Sequence, residues 1–337
     1  MDTTAPHIDT NAATEHFDVL IVGAGISGVG AAWHLRKHCP DLRFVALEAQ
    51  ESFGGTWITH KYPGIRSDSD LHTFGYGFKP WTGPPIATAA EILAYMGEVI
   101  ADNDLAPHIR YHHRIEAAHW SSDANLWTID AVRSDTRERR RFTANFLWMC
   151  QGYYAHAEGY TPQWEGVSDF TGRVVHPQTW PADIDIAGKR IVVIGSGATA
   201  ATIVPALAGK AAHVTMLQRS PTYMVARPSQ DGIANWLREK LPANLAYRLT
   251  RTKNVGLGMY FYRLALRKPD FVKERLIGGV KQALGPDYDV ATHFTPRYNP
   301  WDQRLCLVPD GDMFASLRDG AASIVTGEIE RFTPEGI

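Results

Sequence analysis

Two glycine-rich segments carry the clearest chemistry in this chain. Gly23–Gly28 reads G-x-G-x-x-G, and Gly195–Ala200 reads G-x-G-x-x-A. Glycines in this spacing permit a tight turn and let the backbone approach a pyrophosphate, whose charge is stabilised at the N-terminus of the following helix. Both segments therefore predict dinucleotide-binding turns, and a chance glycine-rich loop is the alternative. The candidate cofactor-binding residues are Gly23, Gly25, Ser27 and Gly28 in the first turn, and Gly195, Gly197, Ala198 and Thr199 in the second.

The residue that ends the next strand differs between the two turns. Glu48 follows the first turn, and a carboxylate at this place accepts hydrogen bonds from ribose hydroxyls. Arg219 takes the corresponding place after the second turn. A guanidinium pairs with a 2′-phosphate, so the second turn is predicted to bind NADPH rather than NADH, unless Arg219 is only a solvated surface residue. Two such turns in one chain indicate electron transfer from a nicotinamide to a flavin.

The elements that must position these turns follow one pattern twice. Phe17–Val22 is a short β-prone run, Ile26–His38 a helix, and Arg43–Leu47 a second strand. The pattern returns as a strand over Arg190–Ile194, a helix to about Leu207 that Pro205 should end or kink, and a strand over His213–Leu217. This order predicts two parallel βαβ units, with each turn at the carboxyl edge of its sheet.

The segments between and after these units fill in an α/β fold with two Rossmann-like domains. Gln50–Pro85 is loop-rich, which is typical of a site rather than a scaffold. A small antiparallel meander is predicted from short strands at Ile109–Trp120, Leu126–Val132, Arg139–Thr143 and Phe146–Cys150. The predicted organisation is a mobile tail over 1–16, the first part of an FAD-binding domain over 17–158, a linker over 159–182, and an NADP-binding domain over 183–337 with a helical insertion at about 233–285.

Composition narrows the class of protein. The 337 residues are 45% hydrophobic and 21% charged, with a formal net charge of -2, which is typical of a globular protein and gives no general affinity for nucleic acid. Three scattered cysteines without a C-x-x-C pair argue against a disulfide scaffold, a zinc site or a dithiol redox centre. The 14 histidines lack metal-ligand spacing, so no metal site is predicted. Without a long apolar stretch or a secretory signal, we expect no membrane span and a cytoplasmic location.

One segment before the second turn identifies a family. Phe170–Pro181 reads F-x-G-x-x-x-H-x-x-x-W-P, which resembles the fingerprint of type I Baeyer–Villiger monooxygenases. The related flavin-containing monooxygenases share the Phe-Gly-His frame but usually end it without Trp-Pro. Gly54–Trp57 and Tyr62–Asp68 also resemble flavin-side segments of these enzymes. The resemblance covers nearly the whole chain from Phe17 onward.

This resemblance implies cofactors and roles for particular residues. The FAD site would comprise Gly23, Gly25, Ser27, Gly28, Glu48, Gly55, Thr56, Trp57 and Asp68, and the NADPH site Gly195, Gly197, Ala198, Thr199 and Arg219. In this family a peroxyflavin formed with O2 attacks a ketone or a soft heteroatom, and an arginine near the flavin stabilises that anion. Arg304 is the positional match for the arginine, and Asp68 would orient it. His176 would belong to a linker that couples domain motion to turnover.

The catalytic assignments have simpler alternatives. A fixed cation in a dry site stabilises an anionic oxygen-transferring species and slows loss of hydrogen peroxide. Arg304 and Asp68 could instead form an ordinary structural ion pair, and His176 could be a hydrogen-bonded hinge residue. Family members run on for well over a hundred further residues that complete the FAD domain, so this chain is expected to be C-terminally truncated and its FAD domain incomplete.

The sequence therefore leaves three hypotheses open. The main one is an FAD- and NADPH-dependent monooxygenase that inserts one atom of O2 into a ketone or a sulfide. The second is an N- or S-oxygenating flavin-containing monooxygenase, against which only Trp180-Pro181 argues. The third, from another class, is a truncated NADP-binding remnant without oxygenase activity. A dithiol reductase is disfavoured because the chain has no redox-active cysteine pair. The substrate and the oligomeric state are not readable from the sequence.

Overall fold

The computed structural model describes residues 14–337. The strands are β1 (Glu15–Val22), β2 (Phe44–Leu47), β3 (Ile109–Arg110), β4 (His113–Ser121), β5 (Leu126–Arg133), β6 (Arg139–Met149), β7 (Arg190–Ile194), β8 (His213–Gln218), β9 (Tyr223–Arg227), β10 (Leu305–Pro309) and β11 (Ala322–Thr326). The helices are α1 (Ile26–His38), α2 (Thr56–Thr59), α3 (Leu71–Phe74), α4 (Ala89–Asp102), α5 (Ala198–Leu207), α6 (Gly232–Lys240), α7 (Ala243–Arg267), α8 (Pro269–Leu284), α9 (Val290–His293) and α10 (Asp312–Arg318). None of the helices in this described range is long and apolar enough to cross a membrane.

The chain forms two compact units. The first contains the described residues up to Thr59 together with Ala90–Ala157, and the second contains His60–Ala89 and Glu158–Ile337. This grouping corrects the predicted boundary, because 60–89 makes its contacts within the second unit although it was expected in the domain over 17–158. Residues 1–13 of the predicted tail over 1–16 lie outside the described residues. Glu15 and His16 belong to β1.

The first unit is built on a six-stranded sheet in the order β3-β2-β1-β6-β5-β4. β1 pairs in parallel with β2 and β6, and β4, β5 and β6 pair antiparallel, so the predicted βαβ unit and meander are confirmed. The strand predicted over Ile109–Trp120 is two strands, because His112 between them adopts a φ of 62°. The strands predicted on either side of Ala144-Asn145 are one, β6. The core contains Leu20, Val45, Leu47, Ile129 and Phe142.

The second unit contains the repeated βαβ pattern. β7, β8 and β11 form a parallel three-stranded sheet in the order β11-β8-β7, and β9 and β10 form a parallel pair. α5 connects β7 to β8 and contains Pro205 just before its end at Leu207, as the sequence predicts. The buried side chains of α5 pack with those of β8 and α10, among them Val204, Val214 and Phe314. The predicted helical insertion is α6, α7 and α8, which lie between β9 and β10.

Candidate functional site

The first glycine turn joins β1 to α1 with very little space. Gly23 adopts a φ of 96°, in the left-handed region that favours glycine. An ideal Cβ at Gly28 would lie 1.9 Å from the carbonyl oxygen of Gly23, so only glycine fits there. Gly25 precedes α1 without a side-chain cap, α1 has no acidic residue in its first turn, and Ser27 is exposed. This helix N-terminus therefore presents its backbone donors to an anion.

A second pair of glycines packs against this turn within the first unit. The N–H of Gly54 donates to the carbonyl of Ala24 at 3.0 Å. Gly55 has a φ of 55°, and an ideal Cβ on it would lie 3.1 Å from the Cα of Gly25. α2 begins directly after it with the half-buried Thr56 and Trp57. The structure thus brings these predicted residues to the first turn, where two backbones form a cradle that a side chain would fill.

Glu48 has a contact that sequence reasoning missed. Its side chain is buried, with 7% of the residue exposed at the end of β2. Oε2 accepts the N–H of Ala24 at 2.7 Å, and Oε1 accepts the N–H of Gln50 at 2.9 Å. The carboxylate therefore fixes the glycine turn itself, and each oxygen keeps a second lone pair for a ribose hydroxyl. No pattern in the sequence indicates this bracing.

The second glycine turn joins β7 to α5 and is more open. Gly195 has a φ of 126°, and its N–H donates to the carbonyl of Leu217 at 2.8 Å. Ideal Cβ atoms at Gly195 and Gly197 would meet nothing within 4 Å. Gly197 precedes α5 without a side-chain cap, and Ala198 and Thr199 begin the helix with no acidic residue in the first turn. The space before this helix suits the phosphates of a dinucleotide.

Arg219 lies just beyond β8, where the sequence predicts a phosphate-binding residue. It is exposed, and the described residues include no ion-pair partner for it. The preceding Gln218 is 1% exposed and donates its amide N–H groups to the carbonyl of His293 and the hydroxyl of Thr326, at 2.8 and 2.9 Å. Gln218 therefore anchors the strand end from which the guanidinium of Arg219 projects.

Arg304 and Asp68 form an ion pair within the second unit. Nη2 of Arg304 donates to Oδ2 of Asp68, and the two side chains are 53% and 25% exposed. Partial burial disfavours the charged guanidinium, but Asp68 and Cys306 together outweigh this and raise the pKa of Arg304. The predicted pairing is therefore present, while the catalytic role of these residues stays a prediction. Asp68 was expected in the FAD domain, and its contacts instead place it in the second unit.

The ion pair is joined to the second glycine turn through β10. Two residues after Arg304, the buried Cys306 places its Sγ 3.9 Å from the carbonyl oxygen of Ser196, inside the turn. Burial raises the pKa of Cys306 to about 11, so this thiol is protonated at neutral pH and cannot act as a nucleophile there. Its role is to pack the start of β10 against the turn.

The segment before Asp68 is held against α5 and α10. Tyr62 is buried and hydrogen-bonded to Thr199, and burial raises the pKa of its phenol. Gly64 has a φ of 76°, and an ideal Cβ there would lie 2.8 Å from the Cβ of Ala206. Nη1 of Arg66 donates to Oδ2 of Asp312 at 2.6 Å. These contacts determine where Asp68 lies, and the sequence marks the segment only through its family resemblance.

His176 is held by its own linker. Its Nδ1 accepts the N–H of Gln178 at 3.2 Å and so caps a short 3-10 helix over Pro177–Thr179. An ideal Cβ at Gly159 would lie 1.9 Å from Cε1 of the imidazole ring, so any other residue at this position would displace the ring. The predicted place of His176 in the linker agrees with this geometry, and its role in turnover stays a prediction. In the part of the chain that the structure describes, no cluster of His, Cys, Asp or Glu is arranged to hold a metal.

Comparison with known proteins decides the family. Residues 21–86 match the model of an NAD(P)-binding Rossmann-like domain, and residues 80–245 match that of flavin-binding monooxygenase-like proteins. The FAD-containing monooxygenase EthA of Mycolicibacterium smegmatis is 50% identical over 326 residues, which are 96% of this chain. The chain belongs to the flavin-binding monooxygenase-like family. It spans 66% of the length of that relative.

Other family members and one solved structure agree with this assignment. The "Probable FAD-binding monooxygenase AlmA" of an Acinetobacter species is 48% identical over 322 residues, covering 95% of this chain and 64% of that protein. A solved steroid monooxygenase, oxidised and bound to NADP, matches with a TM-score of 0.75 and 25% identity over 95% of this chain and 67% of its own. The predicted α/β fold with two Rossmann-like domains is therefore confirmed.

Proposed function

We propose that this chain is the FAD- and NADPH-binding part of a monooxygenase of the Baeyer–Villiger type. FAD binds at the first glycine turn, NADPH binds at the second, and one atom of O2 is inserted beside a carbonyl or added to a sulfide. The relatives named as FAD-containing monooxygenases and the steroid monooxygenase bound to NADP support this assignment. The domain roles predicted for 17–158 and 183–337 follow from it, with 60–89 reassigned to the second unit.

The observation that carries the proposal is the Arg304–Asp68 pair beside the second turn. Two dinucleotide turns alone are common to many oxidoreductases. Oxygen transfer requires in addition a cation that is fixed by a carboxylate, and Arg304 is such a cation directly before β10, the strand that contacts the second turn. Such a cation stabilises the negative charge that develops on oxygen, and it needs no reorganisation during the reaction. The oriented guanidinium is therefore assigned the electrostatic role.

The residues at both turns fit their cofactors. At the first, the backbone at Gly25 and Gly55 would receive the pyrophosphate of FAD, and Glu48, held by two backbone N–H groups, would receive a ribose. At the second, Gly195 and Gly197 leave room for the pyrophosphate of NADPH, and the exposed Arg219 is available to its 2′-phosphate. When bound, NADPH supplies hydride and FAD supplies the chemistry that activates O2.

The chain's own residues must also orient the reacting groups. Asp68 holds the Arg304 guanidinium in one direction, and the Arg66–Asp312 pair with Tyr62 holds the Asp68 segment on α5.

Three cysteines without disulfides agree with a reducing compartment, so we place the protein in the cytosol.

Isotope labelling tests this proposal directly. The 337-residue chain is supplied with FAD, NADPH and 18O2, together with a cyclic ketone or a thioether, and the products are analysed by mass spectrometry. We expect a labelled lactone from the ketone and a labelled sulfoxide from the thioether. Labelled sulfoxide without lactone would favour an N- or S-oxygenating enzyme, and no labelled product from a flavin-loaded chain would overturn the assignment for this chain.

A pair of arginine variants separates the electrostatic role from general damage. Arg304→Ala removes the cation, and Arg297→Ala removes an exposed arginine of the same segment. Removing one such electrostatic contact lowers the rate of product formation by about 100-fold or more, whereas the control variant retains wild-type rates. Equal rates in both variants would refute the role of Arg304.

A further inference from the structure

A chain of hydroxyl groups runs from the second glycine turn to Arg304. Oγ of Ser196, inside the turn, lies 2.8 Å from Oγ1 of Thr222. Thr222 is buried, its side chain interacts with the hydroxyl of Tyr298, and the adjacent Tyr223 donates to the backbone carbonyl of Tyr298 at 2.7 Å. The Oη of Tyr298 donates to the backbone carbonyl of Arg304 at 2.9 Å. The Ser196–Thr222 and Tyr298–Arg304 hydrogen bonds, joined by the contacts of Thr222 and Tyr223 with Tyr298, therefore connect the turn to the residue that carries the cation.

The direction of hydrogen-bond donation is fixed at the Arg304 end of this chain. A carbonyl oxygen only accepts, so Tyr298 must donate to Arg304. The single proton of Tyr298 is then committed, so its hydroxyl can face Thr222 only as an acceptor. Ser196 also has a single hydroxyl proton, for which Oγ1 of Thr222 at 2.8 Å and the carbonyl of Ser220 at 3.3 Å are the two acceptors. Burial raises the pKa of Tyr298 although the bond from Thr222 opposes this, so the phenol keeps its proton at neutral pH.

Tyr298 is itself held in place. The Oη of Tyr223 donates to the carbonyl of Tyr298 at 2.7 Å, and the two rings meet edge to face with centroids 5.3 Å apart. Tyr223 is 2% exposed, and burial raises the pKa of its hydroxyl to about 12. A side chain fixed on its backbone and on its ring transmits a displacement instead of absorbing it.

We propose that Thr222 and Tyr298 are positioning residues that couple occupancy of the second dinucleotide turn to the backbone of Arg304. A dinucleotide that orders the turn at Ser196 also orders the segment that precedes β10, and with it the direction of the guanidinium toward Asp68. The inference rests on the proposed function, since it takes NADP(H) as the ligand of this turn. It assigns to that ligand a second role, as the regulator of the cation's position.

Hydrogen–deuterium exchange with NADP+ as the probe tests the coupling without any turnover. In the wild-type chain, saturating NADP+ should slow amide exchange both at 195–199 and at 297–308. In Tyr298→Phe the protection at 195–199 should remain, whereas the protection at 297–308 should fall by about fivefold, as expected for the loss of one hydrogen bond. Thr222→Val removes the preceding bond and should give the same result. The double variant should lose no more of the protection at 297–308 than either single variant, because both substitutions interrupt the same chain of contacts.

The outcomes distinguish this inference from the proposed function. Tyr288→Phe is the control, because it removes the hydroxyl of another half-buried tyrosine in the same unit. It should retain the NADP+ protection at both 195–199 and 297–308. Full protection of 297–308 in both Tyr298→Phe and Thr222→Val would overturn the coupling and leave the proposed function intact. Absence of NADP+ protection at 195–199 in the wild-type chain would overturn both. Thr222→Val still decides the matter if Tyr298→Phe fails to fold.

Discussion

Gly28→Ala is the substitution for which the structure predicts the sharpest effect. The added Cβ would lie 1.9 Å from the carbonyl oxygen of Gly23, whereas real Cβ atoms stay at least 3.0 Å from such atoms, so the backbone of the turn must move by about 1 Å. Forced overpacking of this kind costs about 1–3 kcal/mol, against about 1 kcal/mol gained from the higher helix propensity of alanine. A displaced turn amide also forfeits a hydrogen bond to the charged pyrophosphate, about 2 kcal/mol, or about 30-fold in the dissociation constant of FAD.

Fluorescence titration of the apoprotein with FAD, together with urea unfolding, measures both effects. Gly279→Ala is the matched control, because Gly279 is also a helical glycine but an ideal Cβ on it meets nothing within 4 Å. The control should gain up to about 1 kcal/mol in free energy of unfolding and bind FAD as the wild type does. Gly28→Ala with wild-type FAD affinity would refute the assignment of FAD to the first turn.

Three further predictions follow from single side chains. Glu48→Gln replaces one accepting oxygen by an amide nitrogen that faces a backbone N–H, and it should lower the free energy of unfolding by about 1–3 kcal/mol in urea titrations and weaken FAD binding. Arg219→Ala should raise the dissociation constant of NADPH by about tenfold and leave that of NADH unchanged, as calorimetry can measure. Burial lowers the pKa of His72 and His113 in the folded chain, so the unfolded chain binds protons more readily. The contribution of these histidines to the free energy of unfolding should therefore be fully present above about pH 6.5, the pKa of histidine in the unfolded chain, and should be lost as the pH falls below it. His113→Gln should make the free energy of unfolding depend less on pH in this range.

The elements around both turns could be predicted because local signals agree there. β7, α1 and α5 have the predicted bounds within the glycine-rich pattern, and each follows or precedes a turn whose glycines leave few conformations. Hydrophobic runs, helix formers and glycine punctuation all indicate the same structure in these segments. The positions of both glycine turns could be predicted for the same reason, and the cofactor roles of their residues stay a prediction.

The remaining features depend on contacts between distant parts of the chain. Nothing near Gly64 in sequence indicates that it packs on α5, 138 or more residues later, so the grouping of 60–89 with the second unit was missed. His112 divides the strand predicted over Ile109–Trp120 into two, because it adopts a positive φ that its residue type does not require. Thr222 and Tyr298 carry no motif and gain their meaning only from the Ser196 and Arg304 contacts.

The central claim is that one chain passes electrons from NADPH at the second turn to FAD at the first. Anaerobic addition of NADPH to the FAD-loaded 337-residue chain, followed by its visible absorption spectrum, tests this most directly. We expect the oxidised flavin bands to bleach, and to bleach much more slowly with NADH or in Arg219→Ala. A chain that holds FAD but whose flavin stays oxidised under excess NADPH would contradict the account.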